Sequence, residues 1–156
     1  MELTGRLVRE KAREYPDEVD SYETEAEMLE ILPVAFAEGT WKWDDLEDIL
    51  HWKSGRFGGA NVETLNENPK REVEDTINEV VETNSAVQKV KRLRSLDGVQ
   101  VRMASALLLF MDPTAYTVLD MNAWETLQDS GNLYAELPTD PDADDYLRYL
   151  GVCHTL

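Results

Sequence analysis

Two short stretches hold residue types that can do chemistry. The first is Leu96-Asp97-Gly98-Val99-Gln100, a tight turn between two helical patterns. A turn of this kind points backbone N–H groups outward, with the positive end of the second helix behind them. That arrangement grips a phosphate without needing a side-chain charge. Arg94 and Arg102 flank the turn and are the best candidates for contacts beside it. The second stretch is Asp120 followed by Met121-Asn122-Ala123-Trp124. Asp at the head of a helix is a good N-cap and stabilises by about 1 kcal/mol. The helix end also favours its negative charge. Capping and catalysis are compatible, so residue type alone does not separate them.

A third stretch, His51-Trp52-Lys53-Ser54-Gly55-Arg56, combines an aromatic, two bases and a glycine loop. Lys53 and Arg56 there are candidates for a second phosphate contact; charges at a helix end are the equal alternative. His51 and His154 stand apart, without zinc-type spacing. The single cysteine, Cys153, excludes an internal disulfide and any cysteine-only metal or iron–sulfur cage, and reads as buried packing. There is no Gly-Lys-Ser/Thr phosphate loop, no serine elbow and no Cys–His nucleophile pattern.

Nearly every segment that must position these residues reads as helix. Residues 2–15 carry Leu3, Leu7 and Val8 among charges and stop at Pro16. Residues 21–38 repeat Met28, Leu29, Leu32 and Phe36 at helical spacing, with Gly39 as terminator and Pro33 as a kink or break. Trp43, Leu46, Ile49, Leu50 and Lys53 mark a third helix. Asn61 starts a short one through Leu65. Asn68-Pro69 is a start signal, with Asn as cap and Pro in the first turn. Val73, Ile77, Val80 and Val81 form the stripe that follows. Ser85 opens a helix through Val87, Val90, Leu93 and Leu96. The next runs from Val101 to Met111, and its small Ala104, Ser105 and Ala106 let a neighbour approach closely. Asp112-Pro113 ends it. Tyr116 to Leu119 is the one extended-looking piece, and it delivers Asp120. Tyr146, Leu150 and Cys153 share a face running almost to Leu156 without a stop signal, the pattern of a chain truncated within an element. These features predict one all-α domain over residues 1–156, with seven to nine helices and a helix-hairpin-helix near 86–111.

Length and charge bound the function. At 156 residues and 42% hydrophobic, the chain suits a single packed domain and is too apolar for disorder. No apolar run is long enough to span a membrane. The start, Met1-Glu2-Leu3-Thr4-Gly5-Arg6, has no apolar signal region, which points to the cytoplasm. The net charge is −17, which taken alone argues against a polyanionic partner. The charge is uneven, however. Residues 1–48 carry −10, residues 49–84 carry −3, residues 85–111 carry +4 and residues 112–156 carry −8, in agreement with the total of −17. The one basic stretch holds Lys89, Lys91, Arg92, Arg94 and Arg102 against Asp97, and it coincides with the turn. A helix face paired with acids elsewhere is the plain alternative. Elsewhere the acids are spread through most of the chain and lysine is scarce, as in proteins adapted to molar salt; an ordinary acidic cytosolic protein fits the same composition.

The stretch from Leu93 to Leu127 resembles the helix-hairpin-helix superfamily of base-excision DNA glycosylases, the group of endonuclease III and the mismatch adenine glycosylases. Their hairpin reads Leu-Pro-Gly-Val-Gly, and their catalytic Asp follows an extended link and opens the next helix. Here Asp120 lies 22 positions after Gly98, matching the family spacing. Leu119-Asp120-Met121-Asn122 is similar to the segment around the adenine glycosylases' Asp. The resemblance covers about 35 residues; the preceding helices fit the family's helical barrel. A segment similar to Trp52-Lys53-Ser54-Gly55-Arg56, with Pro in place of the glycine, recurs in uncharacterised relatives of the superfamily.

The resemblance implies double-stranded DNA as partner, a phosphate held at Gly98, Val99 and Gln100, and a base flipped out of the duplex. Asp120 would then assist C1′–N cleavage by stabilising the cationic sugar or orienting water. Trp41, Trp43, Trp52 and Trp124 could stack on a flipped base, although packing accounts for most of them. No cofactor is implied beyond a monovalent cation at the hairpin. The departures are specific. Asp97 replaces the family's Pro and puts a negative charge beside the expected phosphate. Gln100 replaces the second Gly. Arg102 occupies the position of the bifunctional members' Lys nucleophile and cannot form a Schiff base, which removes a lyase step by that route. The four-cysteine cluster is absent, and little chain follows Asp120, where the family builds a second lobe.

Three expectations result. One is a monofunctional DNA N-glycosylase using Asp120, for which the spacing speaks. Another is a non-catalytic DNA-binding or protein-interaction module, favoured by the altered hairpin and the missing lobe. The third and weakest is an acidic partner protein, such as a DNA mimic or antitoxin-like factor, whose basic stretch packs internally.

Overall fold

A computed structural model describes residues 21–55 and 58–156. The expected helix over 2–15 lies outside the described residues, as does Arg56. Eight helices follow in order: α1 (Ser21–Glu38), α2 (Trp43–Ser54), α3 (Gly58–Asn66), α4 (Lys70–Glu82), α5 (Ala86–Arg94), α6 (Val101–Met111), α7 (Met121–Asp129) and α8 (Ala143–Thr155). Among the described residues there is no strand, so the chain is all-α. No described helix is long and apolar enough to cross a membrane.

The centre of the packing is α6. Nine of its 11 residues are buried, from Val101 to Met111, because α1, α2, α5 and α8 all pack on it. Its run of Ala104, Ser105 and Ala106, each fully buried, keeps that helix thin enough to be surrounded. The other helices bury one stripe each. In α4 the stripe is Val73, Ile77 and Val80; in α2 it is Leu46, Ile49 and Leu50. Trp124 of α7 stacks on Tyr149 of α8 at 5.9 Å and 11°, and its Nε1 donates to the Ala135 carbonyl at 3.0 Å.

Helix ends follow their caps with three departures, the first being α3, which starts at Gly58 and holds Asn61 within it rather than at its head. Ser85 accepts from the Gln88 N–H at 3.4 Å. Asp142 and Asp145 cap each other's backbone at 2.8 and 2.9 Å at the start of α8. Pro33 neither splits nor ends α1, which runs unbroken to Glu38. The stripe of Met28, Leu32 and Phe36 on the core outweighs the one lost hydrogen bond. Asn68 does not cap α4 either. Pro69 is the N-cap residue, without a side-chain cap, because the Asn68 amide is engaged by Asp97, 29 positions away.

Candidate functional site

The turn between α5 and α6 is built from within. Gly98 has φ +85°, a conformation costly for any residue with a Cβ. It also lies against α3: a Cβ there would meet the Leu65 backbone N at 3.0 Å and the Asn61 carbonyl O at 3.3 Å. The Asp97 N–H donates to Asn68 Oδ1 at 3.0 Å, and Asn68 Nδ2 returns a bond to the Asp97 carbonyl at 2.9 Å. Val99 is buried, and its N–H donates to the Leu96 carbonyl at 3.2 Å. Gln100 is exposed and stands at the N-cap of α6, but its side chain makes no cap bond.

The link to Asp120 is the other half. Residues 116–119 form no regular structure; the Tyr116 N–H bonds back to the Asp112 carbonyl at 3.1 Å, and the peptide groups beyond it take side chains. Tyr146 and Tyr149 of α8 donate their hydroxyls to the Thr117 and Val118 carbonyls at 2.8 and 3.0 Å. His154 Nε2 lies 2.7 Å from the Ala115 carbonyl. Lys53 of α2 donates to the Leu119 carbonyl at 3.1 Å. Ser105 of α6 accepts the Leu119 N–H at 2.8 Å and donates its own hydrogen to the Arg102 carbonyl at 2.6 Å. Three helices thus hold the link, and Asp120 follows it as N-cap of α7. Its Oδ2 accepts the Ala123 N–H at 3.2 Å, and the residue is half-buried.

Two of the other candidate residues bear on Lys53 where it meets the link. Burial pushes the Lys53 amine below its usual 10.5; the Asp120 carboxylate opposes that shift and the Arg102 guanidinium adds to it. Arg102 is half-buried, and its Nε is buried without a hydrogen-bond partner among the described residues. Lys53 thus feels both the Asp120 carboxylate and the Arg102 guanidinium, without a direct ion pair among the three. Arg94 is engaged elsewhere, 3.9 Å from Asp140 on the loop before α8. Of the other bases in the basic stretch, Arg92 pairs with Glu79 of α4 at 2.9 Å. Lys89 lies 5.4 Å above the Tyr116 ring. Lys91 is exposed.

Sequence reasoning treated Ser105 only as a small residue and passed over Tyr149. The available signal was a lone hydroxyl inside the apolar run of α6, and a second tyrosine three positions after Tyr146. Burial pushes both tyrosine hydroxyls up and pushes the Cys153 thiol to about 11. Trp124 is core, whereas Trp41, Trp43 and Trp52 are partly buried, Trp52 with its ring edge-on to Phe110 at 4.9 Å. No group of three potential metal ligands occurs among the described residues. In comparisons with known proteins, no family model, no curated protein and no solved structure matches this chain.

Proposed function

We propose that the chain is a DNA-binding helix-hairpin-helix protein that acts as a monofunctional DNA N-glycosylase through Asp120. The observation that supports this reading is the mounting of Asp120 at the end of a link held by three helices, with Lys53 on the carbonyl that precedes it. A fixed carboxylate suits a reaction in which positive charge develops on a sugar. The proposed setting is concentrated salt, in keeping with the net −17. There the counterion-release gain is small, so fixed backbone and guanidinium donors matter more than net charge.

The alternative is a non-catalytic DNA-binding or protein-interaction module. It is favoured by the turn, whose glycine and N–H groups already have internal reasons to be there: the α3 backbone behind Gly98 and the Asn68 amide on Asp97. The same experiment separates the two. A panel of duplexes with damaged or mismatched bases is incubated with the full chain in molar KCl, and both binding and free base are scored. Base release that is lost in Asp120→Asn supports the enzyme. Binding without release supports the module. Neither binding nor release overturns both DNA readings and leaves the protein-interaction module.

A further inference from the structure

One half-buried amine holds the backbone beside the proposed catalytic carboxylate. Lys53 reaches from α2 to the Leu119 carbonyl, the last peptide before Asp120, at 3.1 Å. The N–H of the same residue is held from α6 by Ser105 at 2.8 Å. Leu119 itself is fully buried. The residue before the carboxylate is therefore fixed through its N–H, its C=O and its side chain. Asp120 is free to move only about its own torsions, and its Oδ2 is tied to the Ala123 N–H.

We infer that Lys53 is a positioning residue for Asp120: its ammonium fixes the backbone on which the carboxylate is mounted, and its positive charge acts on that carboxylate from the adjoining peptide. The groups bearing on this ammonium are Asp120 at the start of α7 and Arg102 on α6. On α8, Tyr149 occupies the adjacent Val118 carbonyl, with Cys153 beside it. The pairing is asymmetric. A neutral amine can still donate to Leu119, but it no longer attracts the carboxylate. The site therefore changes character when Lys53 loses its proton, and burial brings that event below the ordinary lysine range. Cys153, pushed to about 11, titrates above it, and Tyr149 is also pushed up by burial. The consequence for turnover rests on the proposed glycosylase reading; the coupling itself belongs to the folded chain without DNA.

The test follows the Asp120 carboxyl carbon by NMR in the full chain, from neutral pH into the alkaline range. The expected trace has an inflection below the ordinary lysine value, absent in Lys53→Met and displaced upward in Lys53→Arg, which keeps both charge and donor. If Lys53→Met fails to fold, Lys53→Arg decides alone. A flat wild-type trace, or an inflection at the same pH in either folded variant, overturns the inference. Where base release is found, its alkaline limb should move with the same substitutions. Lys53→Met should lose about tenfold in rate at neutral pH through misplacement of the carboxylate, with Lys53→Arg restoring most of it. Absence of base release from every duplex would overturn the glycosylase reading while the NMR titration still decides this one.

Discussion

Asp120 has two roles that substitution can separate. As a cap it needs an oxygen acceptor for the Ala123 N–H; as a catalyst it needs a negative charge. Asparagine caps about as well as aspartate, so Asp120→Asn should change stability by less than about 0.5 kcal/mol, whereas Asp120→Ala should cost about 1 kcal/mol. Denaturant titration of both variants measures this. The cap was legible in the sequence, because N-cap preference is local. The clamp by Ser105 was not, because its partner lies 14 positions away on an extended link. Cys153 packs against the core as the sequence suggests but is half-buried rather than buried. With burial pushing it to about 11, alkylation at pH 8 should run about a hundredfold slower than in the unfolded chain. The same shift sets a sign: the folded state holds the thiol proton, so this contribution to stability is lost as pH rises through the unfolded thiol's value. Fast alkylation of the native chain would contradict the burial.

At the scale of elements, the turn and the link are built differently. The turn depends on one glycine. Gly98→Ala places a Cβ at φ +85° against the Leu65 backbone, and should cost about 2 kcal/mol or more. A thermal or denaturant midpoint close to wild type would mean that the turn relaxes freely. The link depends on side chains from α2, α6 and α8, none of which neighbours it in sequence. Helix boundaries were legible where apolar spacing and a cap agreed, as at Ser85, and at Val101 from the apolar spacing alone. They were misread where a distant partner competed. Asn68 looked like a cap, but Asp97 takes its amide. Pro33 looked like a break, but the stripe it interrupts stays on the core.

For the whole molecule, the all-α class followed from pervasive helical spacing and the near absence of alternation. The use of the basic stretch did not, because pairing depends on packing. Arg92 and Arg94 face acids on other elements, while Arg102 turns inward with an unpartnered Nε. A net charge of −17 on 156 residues should destabilise the folded state at low ionic strength. The thermal midpoint should therefore rise continuously from about 0.1 M to about 2 M KCl, beyond the range where simple screening saturates. A midpoint that stops rising near about 0.2 M would mark an ordinary acidic protein.

The central claim is that the carboxylate of Asp120, mounted at the end of the clamped link, breaks a glycosidic bond in DNA. Its most direct test is the single-turnover rate of base release by wild type and by Asp120→Asn, on the duplex of the panel that the wild type processes fastest. With the two proteins equally folded, the predicted result is a loss of about 10²- to 10⁴-fold in the variant. Equal rates in the two proteins would contradict the claim.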